Sequence, residues 1–72
     1  MDVDACGLKC PLPIVRLTKA VKQAQRGDRI QIRADDPAFE PDVRAWCRKT
    51  GNALVALTDE GGVTVATIRK EV

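Results

Sequence analysis

The chain has 72 residues, with 12 basic and 10 acidic side chains, a formal net charge of +2 and no histidine. A chain of this length has room for one small core, so we predict a single domain over residues 1–72. The balanced charge disfavours a dedicated nucleic-acid binder, no apolar run reaches the ~20 residues that span a bilayer, and the lack of histidine excludes imidazole catalysis and His-ligated metals.

The N-terminal half of the chain predicts a strand, a cysteine-containing loop and a helix. Residues 2–5 have the alternation of a short strand, and the CGLKC segment that follows is predicted to be a loop. From Pro11, apolar residues recur every three or four positions, which indicates an amphipathic helix. We expect Gly27 to end this helix. The apolar stripe comprises Ile14, Leu17, Val21 and Ala24.

The rest of the chain predicts a strand, a second helix and a hairpin. Residues 28–35 alternate strictly between apolar and polar side chains, so this strand should bury one face. The second helix should have Pro41 as its first residue and end at Gly51. Residues 53–58 and 63–69 are predicted strands joined by a DEGG loop. The apolar face of the second helix comprises Phe39, Val43, Trp46 and Cys47.

The predicted order of elements, β-α-β-α-β-β, defines a fold. The first helix crosses over between the first two strands, which should therefore be parallel, and the last two strands form an antiparallel pair. Each helix has a single apolar stripe, so both should cover the same face of the sheet. We therefore predict an α/β (α+β) two-layer sandwich, with a four-stranded mixed sheet and two helices on one face.

The CPLP segment places a cysteine at the predicted start of the first helix. A residue before proline is extended, as an N-cap is, so Cys10 is predicted to be the N-cap and Pro11 the first helical residue. Because Pro13 also lacks an N–H group, Leu12 has the one amide of this stretch that can donate to the sulfur. The helix dipole and the neighbouring Lys9 should then lower the pKa of Cys10 and favour the thiolate.

A thiolate without a histidine base suits the transfer of sulfur between sulfur atoms better than it suits acyl or phosphoryl chemistry. The chain is also too small for a deep substrate pocket. We therefore predict a carrier with one reactive sulfur on Cys10, which Gly7 allows the loop to expose. Cys47 is predicted to be a buried apolar residue, and Cys6 is a candidate second thiol.

Two interpretations from other functional classes remain open. One is a dithiol redox module in which Cys6 and Cys10 form a reversible disulfide. The other is a regulatory or RNA-binding module that uses the basic face of the first helix, although the low net charge and the scarcity of aromatic residues argue against it. The cysteine spacing matches no compact zinc or iron–sulfur site, so no metal is expected. Residues 35–37 (DDP) are interpreted as a turn.

The segment Gly7–Pro13, with its Cys-Pro-x-Pro pattern, resembles the signature of the TusA/SirA family of small sulfur-carrier proteins. The resemblance extends to residues 34–37, 45–51 and 68–70, and so covers nearly the whole chain. One departure is Asn52, because family members often have histidine at this position; we assign Asn52 no role.

The resemblance implies that Cys10 carries a persulfide received from a cysteine desulfurase or a rhodanese-like enzyme. A DsrE-type or similar protein would then accept the sulfur. The pathway would be tRNA 2-thiolation or dissimilatory sulfur oxidation, in which a thiosulfonate can be the cargo. We expect no separate cofactor, no direct contact with nucleic acid or membrane, and a monomer without independent substrate turnover. The acidic N-terminus and the odd cysteine count lead us to expect a cytoplasmic protein with reduced thiols.

Overall fold

A computed structural model describes all 72 residues, Met1–Val72, and contains two helices and four strands in the predicted order. The predicted fold class is therefore confirmed. Neither helix is long and apolar enough to cross a membrane. The elements are β1 (Asp2–Asp4), α1 (Leu12–Gln23), β2 (Arg29–Ala34), α2 (Phe39–Thr50), β3 (Ala53–Glu60) and β4 (Val63–Arg69).

The four strands form one mixed sheet in the order β1-β2-β4-β3. As predicted, β1 is parallel to β2, and the β3–β4 pair is antiparallel. The alternation in β2 buries Ile30, Ile32 and Ala34 completely. Cross-strand partners of the first two, Ile68 and Ala66, are equally buried, so these positions form the floor of the core.

Both helices cover this floor. The first, α1, contacts β1 and β2, whereas α2 contacts β3 and β4. Leu17 from α1 and Phe39 and Val43 from α2 are at most 1% exposed, as an aliphatic core with a single phenylalanine requires. Because β1 and β2 are parallel neighbours, the loops that follow them lie together at one edge of the sheet. This arrangement brings residues 5–11 next to residues 35–38.

The end of α1 differs from its prediction. The helix ends at Gln23, and Ala24 is already extended, with ψ at 163°. The ammonium group of Lys70 donates to the carbonyl oxygens of Val21 and Ala24, both at 2.7 Å. These last carbonyls therefore have a distant partner, and the prediction that Gly27 ends the helix is wrong because the chain leaves the helix before it.

The second half of the chain differs from its predictions at two boundaries. The second helix begins at Phe39, so Pro41 is its third residue and not its first. Gly51, with φ at +83°, ends α2 in the left-handed conformation, as predicted. The third strand continues to Glu60 because the hairpin turn has only two residues, and both have a positive φ (64° and 86°) that glycine tolerates.

Candidate functional site

The candidate site is the thiol loop, residues 5–11, which connects β1 to α1 and exposes the thiol of Cys10. Two consecutive aspartates after β2 hold this loop. The Gly7 amide donates to Oδ1 of Asp35 at 3.0 Å, and the Cys10 amide donates to Oδ2 of Asp36 at 2.6 Å. Hydrogen bonds to a charged acceptor are the stronger class, so the loop is fixed at Gly7 and at Cys10 by the segment that follows the neighbouring parallel strand.

Asp36 also organises the start of α2. Its second carboxylate oxygen, Oδ1, accepts the amide of Ala38 at 3.2 Å, and its carbonyl oxygen accepts the amide of Phe39 at 2.9 Å. One residue therefore connects the cysteine to the second helix. The sequence pattern predicts only a turn here, because the bond to Cys10 spans 26 residues of chain. The bonds from the Ala38 and Phe39 amides to Asp36 form the turn that leads into α2, which begins two residues before Pro41.

The start of α1 differs from the predicted cap geometry. Leu12 is the first helical residue, Pro11 is the N-cap with φ at −98° and ψ at 14°, and the Cys10–Pro11 peptide bond is cis. The Leu12 amide donates to the carbonyl oxygen of Lys9 at 2.8 Å, which closes a turn around the cysteine. The predictions that Cys10 is the N-cap and that the Leu12 amide points at its sulfur are therefore wrong. Pro13 is fully buried and fixes this end of the helix in the core.

The electrostatic environment of the Cys10 thiol is acidic. Asp42 on α2 raises the pKa of Cys10, mainly through a hydrogen bond that stabilises the protonated thiol. Partial desolvation and the negative charges of Asp42 and Asp36 add to this effect. The exposed Lys9 is not among the groups that shift this pKa, so the predicted lowering is wrong. Asp42 and Asp36 therefore favour the protonated thiol over the thiolate.

A surface groove of about 270 Å³ begins at the thiol and runs between the two helices. Trp46 is fixed in this groove, because its Nε1–H donates to Oγ1 of Thr18 at 3.2 Å, and that hydroxyl donates to the Ile14 carbonyl at 2.9 Å. The sequence pattern predicts that Trp46 lies on the apolar face of α2, and the structure leaves it half-buried in the groove. The spacing of Asp42, Trp46 and Lys49 on one side of the helix was the signal that could have identified the groove. The lining residues are Cys10, Pro11, Ile14, Asp42, Ala45, Trp46 and Lys49.

The other two cysteines have different environments, and all three thiols are free. Cys6 is exposed in the thiol loop, and its amide donates to Oδ1 of Asp4 at 3.0 Å. Partial desolvation, followed by a hydrogen bond to the Asp4 carboxylate, raises the pKa of Cys6. Cys47 is buried on α2, as predicted, and desolvation raises its pKa. The candidate second thiol therefore shares the loop with Cys10, whereas Cys47 belongs to the core.

Asn52, to which the sequence assigns no role, is held by hydrogen bonds that join two segments of the fold. It is 7% exposed, its Oδ1 accepts the amide of Glu71 at 2.9 Å, and its Nδ2 donates to Oγ1 of Thr50 at 3.1 Å. The side chain therefore joins the end of α2 to the C-terminal segment, away from the thiol loop.

Comparison with known proteins supports this interpretation of the fold. A "SirA-like protein" from Desulfitobacterium hafniense has the same architecture, with a TM-score of 0.83 over 100% of both chains at 24% identity. A "putative sulfur carrier protein" from Archaeoglobus fulgidus is 44% identical over 99% of this chain and 96% of its own length. The "sulfur carrier protein TusA" of Allochromatium vinosum is 39% identical over 85% of this chain and 80% of its own.

Some relatives are longer. A putative sulfur carrier protein from Aquifex aeolicus is 35% identical over 94% of this chain, which spans only 34% of that protein's length. The family model described as "Sulfurtransferase TusA" matches residues 1–70. This match covers both helices, all four strands and the thiol loop, and the chain therefore belongs to the TusA family.

Proposed function

We propose that the protein is a sulfur carrier in which Cys10 accepts a sulfur atom as a persulfide from a donor protein and passes it to an acceptor protein. The observation that carries the proposal is an exposed thiol in a loop whose Gly7 and Cys10 amides are held by Asp35 and Asp36. Membership of the TusA family, and relatives named as sulfur carriers, support the same role.

The transfer needs no group that the chain lacks. The Cys10 thiolate attacks the terminal sulfur of a donor persulfide, a new S–S bond forms, and the donor cysteine leaves as a thiolate when its own S–S bond breaks. Electrons balance, because the sulfur atom moves between two cysteines without an external oxidant. The same step in reverse, with the thiolate of an acceptor as the nucleophile, unloads Cys10. The proton that Cys10 loses before the attack is balanced by the proton that the departing donor thiolate takes up, so the exchange needs no separate acid or base on the carrier.

The acidic environment of Cys10 opposes this step in the isolated protein. Because Asp42 and Asp36 favour the protonated thiol, the isolated protein holds Cys10 in its less nucleophilic form. A partner that places a Lys or Arg side chain against Asp42 would remove this effect. Leu12 and Val15, which are 50% and 42% exposed on the first turns of α1, provide apolar contact area around the thiol for such a partner.

Intact mass spectrometry tests the proposal. The protein is incubated with a cysteine desulfurase and cysteine, and separately with thiosulfate, polysulfide or tetrathionate, and half of each sample is then reduced. Cys10→Ser is the matched variant. We expect a reducible gain of one sulfur atom, or of a thiosulfonate group, that is absent from the variant. The nature of the adduct distinguishes a persulfide carrier from a thiosulfonate carrier.

Two other outcomes would contradict the carrier. A loss of two hydrogen atoms without added sulfur would indicate a disulfide between Cys6 and Cys10, and both thiols are exposed in the same loop. No mass change with any donor would leave Cys10 without a role in sulfur transfer. Circular dichroism of Cys10→Ser checks that the variant folds, which we expect because neither helix depends on the sulfur for its cap.

A further inference from the structure

A second groove lies on the other side of α1 from the thiol groove, between the helix and the outer edge of β1. Its volume is about 460 Å³, larger than that of the thiol groove. No residue of the thiol loop lines it, so the proposed carrier chemistry does not account for it. The lining residues are Met1, Asp2, Val3, Arg16, Lys19, Ala20 and Gln23.

The wall formed by β1 has unpaired backbone groups. The strand lies at the edge of the sheet, with β2 as its one neighbour. The carbonyl of Met1 and the amide of Ala5 both bond to β2, at 2.8 and 2.7 Å. Since alternate residues of a strand direct their backbone groups to opposite edges, Asp2 and Asp4 direct theirs away from the sheet. An open edge of this kind accepts an added extended segment.

The opposite wall, formed by α1, is basic. Arg16 and Lys19 are exposed and line the groove. The ion pairs of the protein are Arg44–Glu40 and Arg69–Glu71, so neither groove residue forms an ion pair, although the charge of Arg16 contributes to the lowered pKa of Asp4. Two unpaired cations next to a free strand edge are complementary to an extended segment that contains carboxylates.

The dimensions of the two walls set the length of the segment. The helix rises by about 10 Å from Arg16 to Gln23, and the three residues of β1 extend over about 10 Å. The groove therefore accommodates three or four extended residues.

Strand geometry sets the pattern of the segment. Val3 packs against the core on the helix side of the sheet, and a residue paired with Val3 directs its side chain to that same side, toward Arg16 and Lys19. The residues before and after it point to the open face, where Asp2 and Asp4 already place two carboxylates. Acidic side chains are therefore favourable only at alternate positions of the segment.

We propose that this groove binds an extended segment of a partner protein by strand addition to β1, with Glu or Asp at alternate positions facing Arg16 and Lys19. Unlike the proposed carrier function, this interaction requires no cysteine. Its failure and the failure of sulfur transfer are therefore separately observable.

An NMR titration of the ¹⁵N-labelled full chain tests the proposal. The probe is an acetylated and amidated heptapeptide in which Thr and Glu alternate, and the control peptide has the same composition with its three Glu residues consecutive. We expect the alternating peptide to shift the amide signals of Asp2 and Asp4 to saturation and the control to bind more weakly. Equal binding of the two peptides, or shifts that leave both amides unchanged, would overturn strand addition.

Matched variants of α1 locate the site. Lys19→Glu reverses a charge inside the groove, whereas Lys22→Glu reverses one on the same helix that lines neither groove. We expect Lys19→Glu to raise the Kd of the alternating peptide roughly tenfold and Lys22→Glu to have a much smaller effect. Equal weakening of peptide binding by the two variants would show that only the net charge of the protein matters, and would overturn the proposed site. Cys10→Ser should bind like the unmodified protein.

Sedimentation of the free protein supplies the last test of the groove. A second copy of the chain could pair along the same edge of β1. A dimer that the alternating peptide does not dissociate would assign the groove to self-association and overturn the proposal. A monomer that binds the peptide supports it.

Discussion

Asp36 is the residue on which the geometry of the thiol loop most depends. The substitution Asp36→Ala removes the acceptors of two amides, that of Cys10 at 2.6 Å and that of Ala38 at 3.2 Å. A hydrogen bond to a charged acceptor contributes about 1.5–3 kcal/mol, and a bond at a helix start about 1 kcal/mol. Because Asp36 is half-buried, water offsets part of the loss of both hydrogen bonds. We therefore expect Asp36→Ala to lower the free energy of unfolding by about 2 kcal/mol.

Two further substitutions divide this loss between the loop and α2. Asp36→Asn keeps one acceptor oxygen, so it can accept only one of the two amides, and we expect a loss of about 1 kcal/mol. Asp35→Ala removes only the bond from the Gly7 amide, at the other end of the loop. It should therefore destabilise the loop without affecting the start of α2.

Urea unfolding gives the free energy, with the fluorescence of Trp46, the one tryptophan, as the signal. In a domain of this size, a loss of about 2 kcal/mol lowers the Tm by about 8–16 °C. Amide hydrogen exchange gives the local result, because the Cys10 amide should lose protection in Asp36→Ala and keep it in Asp35→Ala. A free energy of unfolding for Asp36→Ala within about 0.5 kcal/mol of that of the unmodified protein, or unchanged exchange of the Cys10 amide, would refute the role of Asp36 in holding the loop.

Three other substitutions test the acid next to the thiol, the end of α1 and the core. Asp42→Asn should lower the pKa of Cys10, because it removes the carboxylate that favours the protonated thiol. The pH profile of alkylation by iodoacetamide should therefore shift to lower pH, and an unchanged profile would contradict the contact between Asp42 and Cys10. Lys70→Met removes the ammonium donor of the Ala24 carbonyl and one of the two donors of the Val21 carbonyl, so urea unfolding should show a loss of about 1–3 kcal/mol in the free energy of unfolding. The exposed Lys22→Met is the control, and an equal loss in that variant would refute the cap. Leu17→Ala leaves a cavity at a fully buried position, and calorimetry should show a loss of about 2–5 kcal/mol in the free energy of unfolding. A loss below about 1 kcal/mol would contradict the placement of Leu17 in the core.

The fold was predictable because its determinants are local. Strict alternation in residues 28–35 fixes which face of β2 is buried, and the positive φ of Gly51 ends α2 where the sequence places a glycine. The end of α1 was not predictable in the same way. Its last carbonyls are bound by Lys70, and the contacts span 49 and 46 residues of chain, so no pattern within the helix could indicate them.

The same difference between local and distant contacts explains why the predicted lowering of the Cys10 pKa is wrong. The sequence identifies the cysteine and the prolines that shape its loop, because these constraints act between neighbours in the chain. Its protonation depends instead on charges that are close in space. Lys9 is adjacent in sequence but does not shift the pKa of the thiol, whereas Asp42 and Asp36 reach it from α2 and from the loop after β2. The sequence motif therefore specifies where the thiol lies in the chain, and the tertiary fold determines which charges surround it and favour its protonated form.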